Sequence, residues 1–322
     1  MTEPAGTDAA PDVSIVIVSY NTRELTLACL ESVYRETKRT SFEIVLLDND
    51  SKDGSAAAIE TRFPEIRSIR MNANLGFAKG CNVAAQVSTG RYVLLLNPDT
   101  VVLDGAIDRL VAFAASAPEA RIWGGRTVFG DGTLNPTSCW HRMTVWNLFC
   151  RLTGLASLFP DNPILNTEAY GGWQRDTVRD VDIVTGCFLL IERKDWQLLG
   201  GFDERFFMYG EEADLCLRAR RLGFRPLFTP DATIIHYDGA SETVRTSKML
   251  RLMAAKALLI RIHFNAARRL VALLLLAAWP ATRAAGYGLA ATFAPGRYHA
   301  SFQTWREVFS ARRSWLHGYP PT

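Results

Sequence analysis

The strongest constraint in this chain is its alternation of apolar runs and amphipathic stretches over roughly the first 120 residues. Val13-Ser-Ile-Val-Ile-Val-Ser19, Phe42-Glu-Ile-Val-Leu-Leu47, Ile66–Met71 and Arg91-Tyr-Val-Leu-Leu-Leu96 read as buried strands. Helices are expected between them, at about Arg23–Arg35, Ala56–Phe63 and Gly80–Val87, with another at Leu103–Ala117. Asn21-Thr-Arg-Glu24 reads as a capping box opening the first. Such alternation predicts an α/β fold with a mostly parallel sheet and right-handed crossovers. Polar clusters follow three strand ends: Ser19–Asn21, Asp48–Asp53 and Asn97–Thr100. That edge is where open α/β sheets bind ligands.

The chain has 322 residues, 48% hydrophobic and 21% charged, enough for a large core and inconsistent with disorder. Its net charge of +3 conceals an asymmetry. Residues 251–322 carry ten Lys/Arg against Glu307 alone, a balance of +9, which leaves −6 on the first 250. A basic, apolar tail on an acidic body suits an anionic surface. The six cysteines form no C-x-x-C pair, and Met1–Asp12 does not read as a secretory signal, so a reducing cytoplasm is the expectation. The longest apolar run, Leu270–Ala281, has 12 residues and is interrupted by Pro280 and followed by Arg283. A bilayer span takes about 20 residues, so no transmembrane helix is expected.

Residues 121–180 read as an irregular lid or acceptor region, and Val181–Ile191 as a strand broken at Gly186. Helices are expected at Asp195–Leu199 and Asp214–Leu222, and short strands at Pro226–Phe228 and Ala232–His236. The charge shift divides the chain into a flexible 1–11, a body at 12–247 and a basic, amphipathic helical region at 248–322. There is no P-loop, no G-x-G-x-x-G after the first strand, no H-E-x-x-H and no G-x-S-x-G, which argues against the corresponding nucleotide, redox, zinc-protease and serine-hydrolase chemistries.

What remains is centred on acids. Asp99 follows Pro98 on a stiff turn, as an oxygen ligand for Mg²⁺ or Mn²⁺ or as ordinary turn chemistry. Tyr209-Gly-Glu-Glu-Ala-Asp-Leu215 supplies carboxylates at a helix start, where they favour the dipole and where Glu212 could act as a general base. His236 ends a short strand, as a core histidine or a metal ligand.

Taken in order, Val13–Asn21, Asp48–Gly54, Asn74–Gly80, Asn97-Pro-Asp-Thr100, the Gly200–Arg218 stretch and the His236 strand resemble the inverting family 2 glycosyltransferases of GT-A fold. Asp-Asn-x-Ser, Asn-Leu-Gly-Phe-Ala and Asn-Pro-Asp look most like bacterial rhamnosyltransferases of cell-surface polysaccharide assembly. The resemblance covers residues 12–245 and implies a Rossmann-like sheet flanked by helices. It implies a donor set of Ser19, Tyr20, Asn21, Asp48, Asn49, Asp50, Asn74, Gly76, Lys79 and Asn97, with Tyr20 against the nucleobase and the Asp48–Ser51 turn reading its edge. It implies metal ligation by Asp99 and His236, with Asn97 in place of the first Asp of Asp-x-Asp. The base is Glu212 or Glu211, Glu212 standing where the family usually has Asp. Asp214 joins the implied catalytic set or, with Arg218, supports the acceptor side or orients the helix; the expected acceptor set is Arg126, as an acceptor or diphosphate contact, Gly186 and Arg218.

The implied reaction is direct displacement at a dTDP- or UDP-linked sugar by an acceptor hydroxyl on a saccharide or polyprenyl-diphosphate glycolipid, L-rhamnose being the best-fitting sugar. Gln303-Thr-Trp-Arg306 misses the Gln-x-x-Arg-Trp motif of processive synthases, so one or a few additions are expected. The tail's mixture of apolar and basic residues fits attachment to the inner face of the cell membrane or packing of helices on the body. The other reading is an inactive relative serving as a scaffold, suggested by Asn97 and Glu212. A nucleic-acid partner is not expected, because the tail has no stacking platform at regular spacing. Trp123, Trp140, Trp146 and Trp173 read either as sugar-stacking or as core residues.

Overall fold

The computed structural model describes residues 10–237 and 245–319, with the Arg245 side chain excepted. The first half runs β1 (Val13–Ser19), α1 (Arg23–Glu36), β2 (Phe42–Asp48), α2 (Ser55–Arg62), β3 (Arg67–Arg70), α3 (Phe77–Gln86), β4 (Tyr92–Leu96), β5 (Thr100–Val102), α4 (Ala106–Ser116) and β6 (Ile122–Val128). Then come β7 (Leu134–Asn135), β8 (Cys139–Trp140), α5 (Val145–Thr153), α6 (Leu155–Leu158), β9 (Arg179–Asp180), β10 (Ile183–Val184), β11 (Phe188–Glu192), α7 (Arg193–Leu199), α8 (Glu211–Arg221) and β12 (Leu227–His236). Four helices follow: α9 (Arg245–His263), α10 (Ala266–Phe293), α11 (Pro295–Ser310) and α12 (Arg312–Trp315).

The main sheet is ordered β3-β2-β1-β4-β11-β6-β12-β5. The first four strands are parallel, as the alternation predicts, whereas β11 runs against both β4 and β6, and β5 against β12. β1 and β4 are buried along their whole length, which explains why their sequences are nearly continuous apolar runs. Burying each such Val, Ile or Leu is worth about 1.5–3 kcal/mol. The region read as irregular contains β6, a central strand. Its Gly124 and Gly125 lower its apparent strand character, and both are needed: a Cβ on Gly124 would lie 2.3 Å from Val184 and one on Gly125 2.3 Å from the Ala232 carbonyl.

The expected capping box on α1 does not form. Thr22 is buried and turns its hydroxyl to Ser19 and Thr26, while Asp53, from the loop after β2, accepts the Arg23 N–H at 2.9 Å. Tertiary structure has taken over a local role.

The C-terminal helices are not packed as a separate layer beyond residue 247. Ala255, Leu258 and Leu259 of α9 belong to the same buried cluster as Val93, Leu189 and Phe206, while other residues of α9 join α10, α11 and α12 in a second core. Helix α10 continues through Pro280, whose ring is buried beside Leu276 and Trp279. It is the one helix among the described residues long and apolar enough, by length and composition, to cross a membrane.

Candidate active site

The loops after β1 and β2 are stitched together. Asn21, at φ 52°, accepts the Lys52 N–H at 2.7 Å, and Ser51 Oγ accepts the Asn21 N–H at 2.9 Å. Buried Asn49 donates to Asn74 Oδ1 at 3.0 Å and to the Gly76 carbonyl at 3.1 Å, and accepts the Leu75 N–H at 2.8 Å. Its amide is thus used in holding the Asn74–Gly76 turn. That turn meets the segment before α8, where Phe77 donates to the Phe207 carbonyl at 2.7 Å. Gly76 has φ +79°, and a Cβ there would lie 2.3 Å from Phe207 O, so glycine is required twice over.

Asp48 is buried; Oδ1 accepts the Ser51 N–H at 3.0 Å while Oδ2 has no hydrogen-bond partner among the described residues. A buried carboxylate oxygen left bare is costly unless a ligand donor reaches it. Tyr20, Asn49 and Asn74 line the adjoining cavity.

At the end of β4, Asp99 Oδ1 is 3.4 Å and Asn97 Nδ2 3.3 Å from His236 Nε2, which β12 delivers from the far side of the sheet. Among the described residues, Asn97 Oδ1 and His236 Nδ1 are buried without a hydrogen-bond partner. Burial lowers the pKa of His236, but the Cys187 sulfur and the Asp99 carboxylate raise it, with a net result of about 11. One carboxylate, one imidazole that would give up its proton to ligate, and one bare amide oxygen form a donor set that would fit a hard divalent cation.

Across the same cavity, Tyr209 (φ 71°) and Gly210 (φ 91°) are both left-handed and turn the chain sharply into α8. Glu211 and Glu212 therefore stand at the first turn of that helix, both lining the cavity. Glu212 Oε2 accepts the Gly210 N–H at 3.2 Å, whereas Glu211 is buried and its Oε2 has no hydrogen-bond partner among the described residues. Desolvation raises both carboxyls above their usual range, and the charge of Glu212 raises Glu211 further. Gly186 closes the wall against Glu212, its Cβ position being 3.7 Å from Glu212 Cβ. Asp99, His236, Glu211, Glu212, Asn97 and Gly186 thus share one cavity of about 870 Å³.

Other residues singled out by sequence lie elsewhere. Ser19 is buried in hydroxyl contacts with Thr22 and Thr26, because the first strand turns that side chain inward. Asp50 pairs with Lys52 at 2.5 Å, and exposed Lys79 lies 3.9 Å from Glu204; neither lines the cavity. Asp214 is fully buried, held by Arg218 at 2.7 Å and by His263 Nε2 of α9 at 2.8 Å. Arg218 also donates to the carbonyls of Leu199 and Gly201, at 2.5 and 2.8 Å. The two tie α8 to its neighbours rather than facing the cavity. Arg126 lies on β6 opposite Thr233, also away from it. Trp123 is core, Trp140 lines the cavity, Trp146 is exposed, and Trp173 packs on Phe228.

Sequence reasoning missed half the cavity: His141, Arg142, Arg151, Glu168, Arg220 and Lys256 line it too. No compact motif joins them. Trp305, inside the segment resembling the processive motif, forms part of the far wall.

A model described as glycosyl transferase family 2 matches residues 14–178. The chain is 30% identical over 247 residues to the N-acetylglucosaminyl-diphospho-decaprenol L-rhamnosyltransferase of Mycobacterium tuberculosis, covering 73% of this chain and 78% of that protein. It is 28% identical over 236 residues to the O-antigen biosynthesis protein RfbC of Myxococcus xanthus, covering 72% of this chain but only 18% of that much longer relative. Among solved structures, the mannosyltransferase PcManGT from Pyrobaculum calidifontis, in complex with GDP-Man and Mn²⁺, superposes with a TM-score of 0.55 at 17% identity, covering 96% of this chain and 86% of that one. GalNAc-T7, with UDP, GalNAc and Mn²⁺, gives a TM-score of 0.54 at 17% identity, covering 81% and 53%. These two share the GT-A architecture.

Proposed function

Since the chain belongs to glycosyl transferase family 2, we propose that it transfers one sugar, L-rhamnose from dTDP-rhamnose, to a saccharide carried on a polyprenyl diphosphate. The observation that carries this reading is the placement of Asp99, His236 and Asn97 opposite Glu211 and Glu212 in one cavity. In it, Tyr20 packs on the nucleobase, and Asp48 Oδ2, next to the lining residue Asn49 and bare among the described residues, accepts a ring N–H, a donor that thymine and uracil both have. Asn49, Asn74 and Gly76 shape the floor beneath the donor. Asp99, His236 and the Asn97 amide oxygen would hold a divalent cation, Mg²⁺ or Mn²⁺, which supplies Lewis-acid neutralisation of diphosphate charge.

The acceptor hydroxyl is a weak nucleophile, and a carboxylate takes its proton as it attacks. Raised carboxyl pKa values in the Glu211–Glu212 pair strengthen that base. Glu212 is the better placed of the two, because it is partly open to the cavity while Glu211 is buried. One displacement inverts the anomeric centre and needs no covalent enzyme intermediate.

The protein works at the inner face of the cell membrane in this reading. Between Leu270 and Phe293 the exposed side chains of α10 carry no charge, a face of ~36 Å at the helical rise. Arg268 and Arg269 stand at one end and Arg297 beyond the other, an arrangement that suits anionic lipid heads. The test is incubation with dTDP-rhamnose and a polyprenyl-diphosphate saccharide, with NMR of the product. A single rhamnose with inverted anomeric configuration supports the proposal. Retained configuration, or use of another donor alone, overturns it.

A further inference from the structure

The cavity that holds Asp99 and Glu212 is also lined by His141, Arg142, Arg151, Glu168, Arg220 and residues of α9. Two buried carboxylates, Asp182 and Glu168, each gather more cations than they neutralise. Asp182 lies 3.1 Å from Arg220 Nε, 3.8 Å from Arg142 Nε and 3.4 Å from His141 Nε2. Glu168 pairs with Lys256 at 2.6 Å and with Arg151. The His141 N–H donates to the Glu168 carbonyl at 3.0 Å, so the two groups form one cluster. Four permanent cations on two carboxylates leave an excess of +2 around a partly enclosed space. The part of that excess carried by Lys256, Arg151 and Arg220, whose side chains are only 17–33% exposed, is costly unless an anion joins it. Guanidinium groups suit phosphate oxygens in particular.

Beyond this cluster the same cavity becomes apolar, lined by Met249, Leu252, Met253, Trp279 and Trp305. The Trp279 and Trp305 rings lie 5.7 Å apart. Cation cluster and apolar wall meet along α9, where Lys256 and Met253 are one turn apart.

We propose that this half of the cavity is a subsite for a diphosphate joined to a hydrocarbon chain, with the cations around Asp182 and Glu168 holding the diphosphate and the α9–α10–α11 wall holding the first part of the chain. The assignment rests on the glycosyl-transfer reading and gives its acceptor an address distinct from the donor diphosphate at Asp99 and His236. It also gives the basic residues a role that no donor contact supplies.

The experiment uses decyl diphosphate, inorganic pyrophosphate and decanol as probes, by calorimetry without divalent metal. The protein is the full chain carrying Asp99→Asn, so that donor-side diphosphate binding is silenced. Decyl diphosphate is expected to bind at least about tenfold more tightly than pyrophosphate, with decanol far weaker than either. Arg142→Gln changes a largely exposed side chain and should weaken decyl diphosphate about tenfold. Lys256→Gln should do the same through a second contact. Equal binding by pyrophosphate and decyl diphosphate, or no effect of either substitution in folded protein, overturns the proposal. Phosphatidylglycerol vesicles form the other arm. If the substitutions release vesicles but leave decyl diphosphate untouched, the cluster reads a lipid headgroup and the proposal falls. In chains with Asp99 intact, binding of dTDP with Mn²⁺ is unchanged by both substitutions if donor and acceptor sites are separate. Failure of dTDP to bind at all would instead count against the glycosyl-transfer reading, leaving the decyl diphosphate result to stand by itself.

Discussion

The donor half and the far half of the cavity are built in different ways. The proposed donor half is made from turns at strand ends, fixed by side-chain-to-backbone bonds within one turn, Asp48 to Ser51, and between turns 26 to 31 residues apart, Asn49 to Leu75 and Gly76 and Asn21 to Lys52. The far half is assembled from segments 38 to 88 residues apart, through Arg142–Asp182, Arg220–Asp182 and Lys256–Glu168. The first half is stiff because its backbone polar groups are satisfied by uncharged or Asx side chains of adjoining turns. The second depends on charges that meet only once the fold is complete.

If that contrast holds, the largest effect falls where the halves converge. Glu212→Gln removes the proposed base and should lower kcat by about 10²–10⁴-fold, with little change in donor KM. The same substitution should raise Tm. A carboxyl whose folded pKa lies above its unfolded value stabilises the fold while protonated, and that contribution is lost as pH rises through the folded pKa. Glutamine keeps the neutral form at every pH. By the same sign, kcat of the unmodified protein should increase with pH through a range above that of ordinary carboxylates. A kcat–pH profile flat down to pH 4 would remove the raised base.

Next in size is Gly76→Ala. The new Cβ meets the Phe207 carbonyl in a backbone conformation that alanine resists. A loss of about 2–3 kcal/mol is expected by denaturant titration, with a donor KM that rises more than the acceptor KM. Equal rises in both would mean that the halves are not mechanically separate.

Glu168→Gln tests the far half. Despite the burial that raises it, Arg151 and Lys256 hold this carboxyl down to about 2. Its contribution is therefore fully present above the ordinary glutamate pKa and is lost as pH falls from about 4.5 to about 2. That interval corresponds to about 3 kcal/mol at neutral pH. The substitution should remove most of it and flatten the acid limb of the stability curve, leaving dTDP affinity unchanged.

The smallest effect on folding is expected on the exposed face of α10. Leu289→Ser with Phe293→Ser removes two side chains that are 65% and 83% exposed. Stability should change by under about 0.5 kcal/mol, while sedimentation with anionic vesicles falls. Unchanged sedimentation would move membrane contact elsewhere.

The same contrast explains what the sequence revealed. The parallel strands were legible because burial on both faces writes uninterrupted apolar runs, and the donor turns because left-handed and Asx positions select Gly, Asn and Asp. Strand β6 was not, since Gly124 and Gly125 answer to close neighbours that no local pattern records. Asp214 and Arg218 read as site residues because acids and bases at a helix start look functional, yet they form ties to α9 and to the Leu199–Gly201 turn. The Asp182 and Glu168 clusters left no trace, because an ion pair across tens of residues has no spacing rule. The tail's charge shift was plain, but it marked no packing boundary: Tyr319 donates to the Met208 and Arg251 carbonyls, bracing the segment before Glu211.

The central claim is that Asp99, His236 and Asn97 present a nucleoside diphosphate and its cation to the Glu211–Glu212 pair. Thermal unfolding with dTDP, UDP and GDP, each with and without Mn²⁺, tests it most directly, in the unmodified chain and in Asp99→Ala. The account predicts a metal-dependent rise in Tm with dTDP, reflecting about 2.7 kcal/mol of stabilisation at a hundredfold excess over Kd, and its disappearance in folded Asp99→Ala. A folded protein that ignores every nucleoside diphosphate, or an Asp99→Ala variant stabilised as strongly as the parent, would contradict it.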